Sequence, residues 1–172
     1  MRFVHALVLM LGAATLAGCA EGVKPTGEPT FYNSLAQPNA TLDANAAASM
    51  ISCYRANNGL SAVTLDPQLM QLADAQARAM AARNRVDHIP AGAFTARLKS
   101  VGYSARTAAE NVSAGYHTLA EAFSGWRDSP SHRANMLLKG ATKMWIAAVY
   151  APGSKYKVFW SLILAEPDDR RG

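Results

Sequence analysis

Only two cysteines, Cys19 and Cys53, occur in the 172 residues, too few to build a zinc centre on thiolates. No apolar run is comfortably long enough to cross a membrane, because the stretch from Phe3 to Leu16 falls short of the roughly 20 residues a spanning helix needs. Acidic residues are scarce, 12 against 17 basic, and the formal charge is +5. That excess does not point to nucleic acid. Arg78, Arg83, Arg85, Arg97, Lys99 and Arg106 lie scattered among apolar residues without interleaved aromatics, which reads as a solvated basic face. No internal repeat is visible, so repeat architectures drop out.

What the chain does have begins at its N-terminus. Met1-Arg2 supplies a positive start, Phe3 to Leu16 an apolar core, and Leu16-Ala17-Gly18-Cys19 a small-residue cleavage site. The tetrapeptide resembles a bacterial lipobox, with an ordinary signal peptide or a short membrane anchor as the alternatives. The resemblance implies a signal peptide over 1–18 and a covalent lipid, palmitate-like in its chains, on Cys19, which anchors an extracytoplasmic lipoprotein to the membrane. Ala20 stands where a retention Asp would, and the lipoprotein sorting rule then implies the outer membrane in a cell that has one. Loss of Arg2 with the leader lowers the charge from +5 to +4. With Cys19 acylated, Cys53 has no intrachain disulfide partner, and its place in a helical pattern predicts core packing. Residues 19–40 are rich in Gly, Pro, Thr, Ser, Asn and Gln and read as a flexible tether. A single domain over 41–166 and a polar tail over 167–172 complete the chain.

Within the domain, the pattern predicts a helix from Asp43 to Asn58, stopped at Gly59, then an apolar link over Leu60–Leu65. Asp66 caps a second helix with Pro67 at its first position, and Leu69, Leu72, Ala73, Gln76, Ala77 and Met80 fall on one face. A third helix is expected over Ala93–Val101, a strand over Thr107–Ala114, and a fourth helix over Thr118–Asp128 with Thr118 and Glu121 spaced as a capping box. A short helix from about Ser131 to Gly140 precedes strands over Lys143–Tyr150 and Tyr156–Leu164, joined by a Pro152-Gly153-Ser154 turn into an antiparallel hairpin. The class is α+β. Trp126, Trp145 and Trp160 read as core anchors.

Three segments carry chemistry: His88 following the Ala-rich second helix, Ala109-Glu110-Asn111-Val112, and Trp126-Arg127-Asp128-Ser129-Pro130-Ser131-His132-Arg133-Ala134-Asn135-Met136-Leu137. Their order over residues 42 to 165 resembles the bacterial branch of the CAP superfamily, which includes the cysteine-rich secretory proteins, the venom antigens and the plant pathogenesis-related proteins. The resemblance implies an α-β-α sandwich, with a central antiparallel sheet flanked by helices and a broad cleft. It also implies a cleft of two histidines and two glutamates that can bind a divalent metal. His88, Glu110 and His132 match three of these positions; the fourth is missing, and Asp128 is the candidate substitute. Asn111 joins them as a brace of the cleft wall.

Imidazole and carboxylate suit zinc-like ions, and a three-ligand site leaves a position open for an activated water. Bland roles compete: His88 can bond the backbone before Pro90, Glu110 can satisfy loop amides, and His132 can cap or pack on Trp126. No HExxH helix locks two ligands together, and neither Ser129 nor Ser131 sits in a nucleophile elbow beside His132. Two functions follow as expectations. One is a binding module with a His/Glu-lined cleft for a lipid, peptide or cell-wall ligand. The other is a divalent-metal-dependent, peptidase-like hydrolase in which His88 and His132 hold the ion, such as Zn2+, and Glu110 is ligand or general base.

Overall fold

A computed structural model describes residues 27–168. The expected signal peptide, the lipobox-like Cys19, the first part of the expected tether and the end of the polar tail lie outside the described residues. A 3-10 turn over Thr30–Tyr32 is followed by helix α1 (Ala44–Ala56), strand β1 (Thr64–Leu65), α2 (Pro67–Arg83) and α3 (Phe94–Ser100). Strand β2 (Ala105–Ala114), α4 (Leu119–Asp128), α5 (Pro130–Met136), β3 (Lys143–Tyr150) and β4 (Val158–Pro167) complete the order.

The strands form one sheet in the order β1-β3-β4-β2. β3, β4 and β2 pair antiparallel, with Trp145 opposite Ile163 and Glu110 opposite Ile163 on the other side. β1 corrects the sequence analysis: the Leu60–Leu65 link contains two residues that pair parallel to β3. Being so short, β1 lacks the alternation by which a strand is recognised.

β4 is buried along its first eight residues, as a central strand covered on both faces must be. Val158, Trp160, Leu162 and Leu164 face a cluster with Ala47 and Ile51 of α1, Leu119, Ala122 and Trp126 of α4, and Met136 of α5. Ile163 and Ala165 face Leu69, Leu72, Ala73 and Ala77 of α2 and Leu98 of α3. The fold is therefore the expected α-β-α sandwich. The buried face of α2 is the one the sequence indicates, Gln76 included, and Asp66 caps it by accepting from the amides of Gln68 and Leu69. The Thr118–Glu121 capping box forms, with Glu121 Oε2 accepting from the Thr118 amide at 3.0 Å. Trp126 and Trp160 meet edge to face in the core, 6.3 Å between ring centroids.

Three local readings change. Residues 30–40, assigned to the tether, belong partly to the domain: Leu35 is buried, its amide donates to the His117 carbonyl, and Phe31 packs on the core. The short fifth helix ends at Met136 instead of near Gly140. Cys53 is exposed, because the buried stripe of α1 runs through Ala47, Ile51 and Arg55.

Candidate functional site

Consecutive side chains of a strand point to opposite faces, so Glu110 and Asn111 of β2 serve different layers. Glu110 turns to the α2–α3 side. Nη2 of Arg97 donates to both of its carboxylate oxygens at 2.9 Å, and Ser161 Oγ of β4 donates to Oε1 at 3.3 Å. His88 Nδ1 lies 3.1 Å from Oε2. A carboxylate only accepts, so this contact fixes the proton on Nδ1 and leaves Nε2 as the free ring nitrogen. The Glu110 side chain is 2% exposed and that of His88 56%, so the carboxylate forms the floor and the imidazole the rim.

Asn111 turns the other way, toward α5. Its Nδ2 donates to the His132 carbonyl at 2.9 Å, and Asn135 Nδ2 donates to Asn111 Oδ1 at 2.9 Å and to the Glu110 carbonyl at 3.1 Å. This bracing pins α5 to the exposed edge of the sheet. Pro130 opens α5 at a position that needs no backbone donor, and Asn135 follows His132 by three residues on the same helix. The loop carrying His88 is held from α2, where buried Gln76 donates through Nε2 to the Asp87 carbonyl at 2.6 Å.

His88 meets Glu110 directly, His132 lies near enough to His88 to feel its charge, and Asn111, on the other face of β2, reaches the His132 carbonyl. Asp128 stays apart. Its carboxylate binds Arg127 next to it at 2.8 Å on exposed α4, so it does not serve as the missing acid. Among the described residues, no group of three or more His, Cys, Asp and Glu side chains is placed to hold a metal ion.

Arg97 corrects the sequence analysis most. Counted there with the solvated basic residues, it is 5% exposed, with Nε on the Gly92 carbonyl at 2.9 Å and its guanidinium 5.2 Å from the centre of the Phe94 ring. The signal was present: Arg97 falls three residues after Phe94 and one before Leu98, on the apolar stripe of α3. Ser161 and Asn135 left no comparable trace.

His132 is held below the ordinary imidazole value of 6.5, first by burial and second by the nearby His88. The unfolded chain therefore binds a proton on His132 more readily than the folded one. Stability from this residue is flat above about pH 6.5, where both states are neutral, and falls as the pH drops below it. His132→Asn is expected to flatten that decline in urea unfolding between about pH 7.5 and pH 5.

A second concavity lies on the opposite side of the sheet, between α1, α4 and the 3-10 turn. It encloses about 460 Å³ and is walled by Phe31, Met50, Cys53, Tyr54 and Phe123, with Arg127 at one side. Tyr54 and Phe123 meet edge to face at 5.4 Å. The sequence analysis did not foresee this groove, because Phe31 lay in the supposed tether and Cys53 in the supposed core.

The profile of the cysteine-rich secretory protein family, CAP, matches residues 48–164. The chain belongs to the CAP family. Among curated proteins it is similar to YkwD of Bacillus subtilis strain 168, at 27% identity over 139 residues, 80% of this chain and 54% of the relative. The chain thus spans about half the length of that relative. Its fold is similar to that of an SCP-domain extracellular protein of Bacillus anthracis, with a TM-score of 0.62 and 21% identity over 72% of this chain and 40% of that one. An outer surface protein of Borrelia burgdorferi matches with a TM-score of 0.63 and 16% identity, over 70% of this CAP chain and 90% of the other. No helix among the described residues is long and apolar enough to cross a membrane.

Proposed function

We propose that this CAP protein is a lipid-anchored, extracytoplasmic binding module and that its ligand is a lipid, held by an acyl chain in the groove between α1 and α4. The observation that carries the reading is the groove itself: about 460 Å³ walled by Phe31, Met50, Tyr54 and Phe123. Ligand sites are concavities of roughly this size, mostly apolar, with a few polar groups that set orientation. Arg127, paired with Asp128, lies at the rim of the wall. The lipobox-like Leu16-Ala17-Gly18-Cys19 supports an anchor on Cys19. Phe31 stands twelve residues after Cys19, so the groove stays within about 40 Å of such an anchor at full extension. The extracellular and surface settings of the Bacillus anthracis and Borrelia burgdorferi proteins agree with this placement. A hydrolase is disfavoured, since Glu110 is engaged by Arg97 and Asp128 by Arg127.

Two experiments test the reading. Mass spectrometry of the mature N-terminus is expected to find an acylated Cys19, and an unmodified one refutes the anchor. For the ligand, palmitate and phosphatidylglycerol are added to the purified protein while thermal unfolding is followed. Both are expected to raise the midpoint, as any molecule that binds only the folded state must. Cys53→Trp, which fills the groove from an exposed position, is expected to abolish the rise while leaving the unliganded midpoint nearly unchanged. An equal rise in Cys53→Trp, or none in the wild type, removes the groove as the ligand site.

A further inference from the structure

We propose that Arg97 is the resident cation of the His88–Glu110–His132 cleft and that its fixed guanidinium, by occupying Glu110, determines that the cleft works without a divalent metal. Three independent features of this chain lead there.

The first is the engagement of Glu110. Each carboxylate oxygen already receives an Arg97 Nη2 bond at 2.9 Å, and each has a second partner, Ser161 on Oε1 and His88 Nδ1 on Oε2. A metal ligand must turn a lone pair toward the ion, and these are directed at protons. The second is the orientation of His88. Its Nδ1 faces the carboxylate that Arg97 holds, so while that ion pair lasts Glu110 stands behind the ring as an orienting partner and not beside it as a fellow ligand. His132 is close enough to His88 to feel its charge, but among the described residues no third His, Cys, Asp or Glu completes a metal-holding group with them, and Asp128 is held by Arg127. Two imidazoles fall short of the three protein ligands that even an open catalytic zinc site requires.

The third is that Arg97 is built in. Its side chain is 5% exposed, Nε is tied to the Gly92 carbonyl, and the Phe94 ring covers the guanidinium. It cannot swing out to admit a competitor, and an added dication would meet a fixed like charge. Arg97 is thus a specificity-determining residue. In the wild type it supplies the countercharge for Glu110, and its removal frees a carboxylate that already lies 3.1 Å from His88 Nδ1.

Zinc titration of the full-length protein tests this, read by calorimetry and by the ring nitrogen resonances of His88 and His132. The wild type is expected to take up no stoichiometric zinc, with His88 remaining in its Nδ1-protonated form. Arg97→Met is expected to gain a one-to-one site, and Arg97→Met/Glu110→Gln to lose it again. Arg97→Lys keeps a cation in place and is expected to behave as the wild type, which covers the case in which Arg97→Met does not fold. A single zinc bound by the wild type and lost in Glu110→Gln overturns the proposal outright. So does a folded Arg97→Met protein that binds no zinc, since Arg97 would then not be the determinant. Neither result depends on whether the α1–α4 groove takes a lipid.

Discussion

Glu110→Ala is expected to destabilise the protein by about 3 to 5 kcal/mol, because it leaves the buried guanidinium of Arg97 without its counterion. The pair is nearly inaccessible, 5% and 2% exposed on its two side chains, so water cannot take over the lost partner. Removing both charges should cost less than removing one. Arg97→Met/Glu110→Met replaces the pair with apolar groups of similar length, and such replacements are often close to neutral. Urea unfolding of the two single variants and the double variant gives the coupling directly. If the double variant loses as much as the sum of the singles, the two residues do not act as a pair, and the description of Glu110 as an internally satisfied group fails.

Arg55→Met is expected to cost more than about 3 kcal/mol, for a different reason. Arg55 is fully buried and is held by backbone carbonyls instead of a carboxylate; burial lowers its tendency to hold its proton. Four carbonyls hold it. Nε donates to Ser61 at 2.8 Å, Nη1 to Met136 and Leu138 at 2.9 Å, and Nη2 to Ala141 at 2.8 Å. Methionine can fill the space but leaves these carbonyls buried without a donor, and each unsatisfied group carries its own desolvation penalty. Because Met136 ends α5 and Leu138 lies just beyond it, the loss should also loosen His132 and its brace on Asn111. Thermal unfolding and the His132 ring resonances report the two effects separately. A loss below about 1 kcal/mol would show that water reaches these carbonyls.

The same residues show how far the sequence could be read. Long periodic elements were legible: the buried face of α2, the capping box of α4 and the β3–β4 hairpin all follow from local rules, since propensity and packing agree there. The motifs around His88, Glu110 and His132 were legible as spatial neighbours, with His88 on Glu110 and Asn111 on the His132 carbonyl. What else those residues touch was not. Arg55, Gln76 and Arg97 each interrupt the apolar stripe of a helix, and each turns out to carry buried hydrogen bonds that position another segment. A polar residue on an apolar stripe is a recognisable sign, but its partners lie across the fold, 81 residues away for the Arg55 bond to Met136. The groove was hidden for a related reason. Phe31 sits among Gly, Pro and polar residues that look like linker, and only the packing of Leu35 and the 3-10 turn onto α4 makes it a wall.

Cys53 illustrates the limit of periodicity. Its helix places Ala47, Ile51 and Arg55 inward, and a stripe defined by small residues and one arginine is shallow enough that the neighbouring face remained ambiguous. The outcome turns a supposed core residue into a solvent-facing reporter on the groove wall, which is why Cys53→Trp serves as the blocking substitution above.

The binding reading is tested most directly by mapping where a lipid sits. Amide and methyl NMR resonances of the full-length protein are followed while palmitate is added. The reading predicts saturable shifts at Phe31, Met50, Cys53, Tyr54 and Phe123, with His88 and His132 unmoved. Shifts centred on the two histidines, or none that saturate, would contradict it.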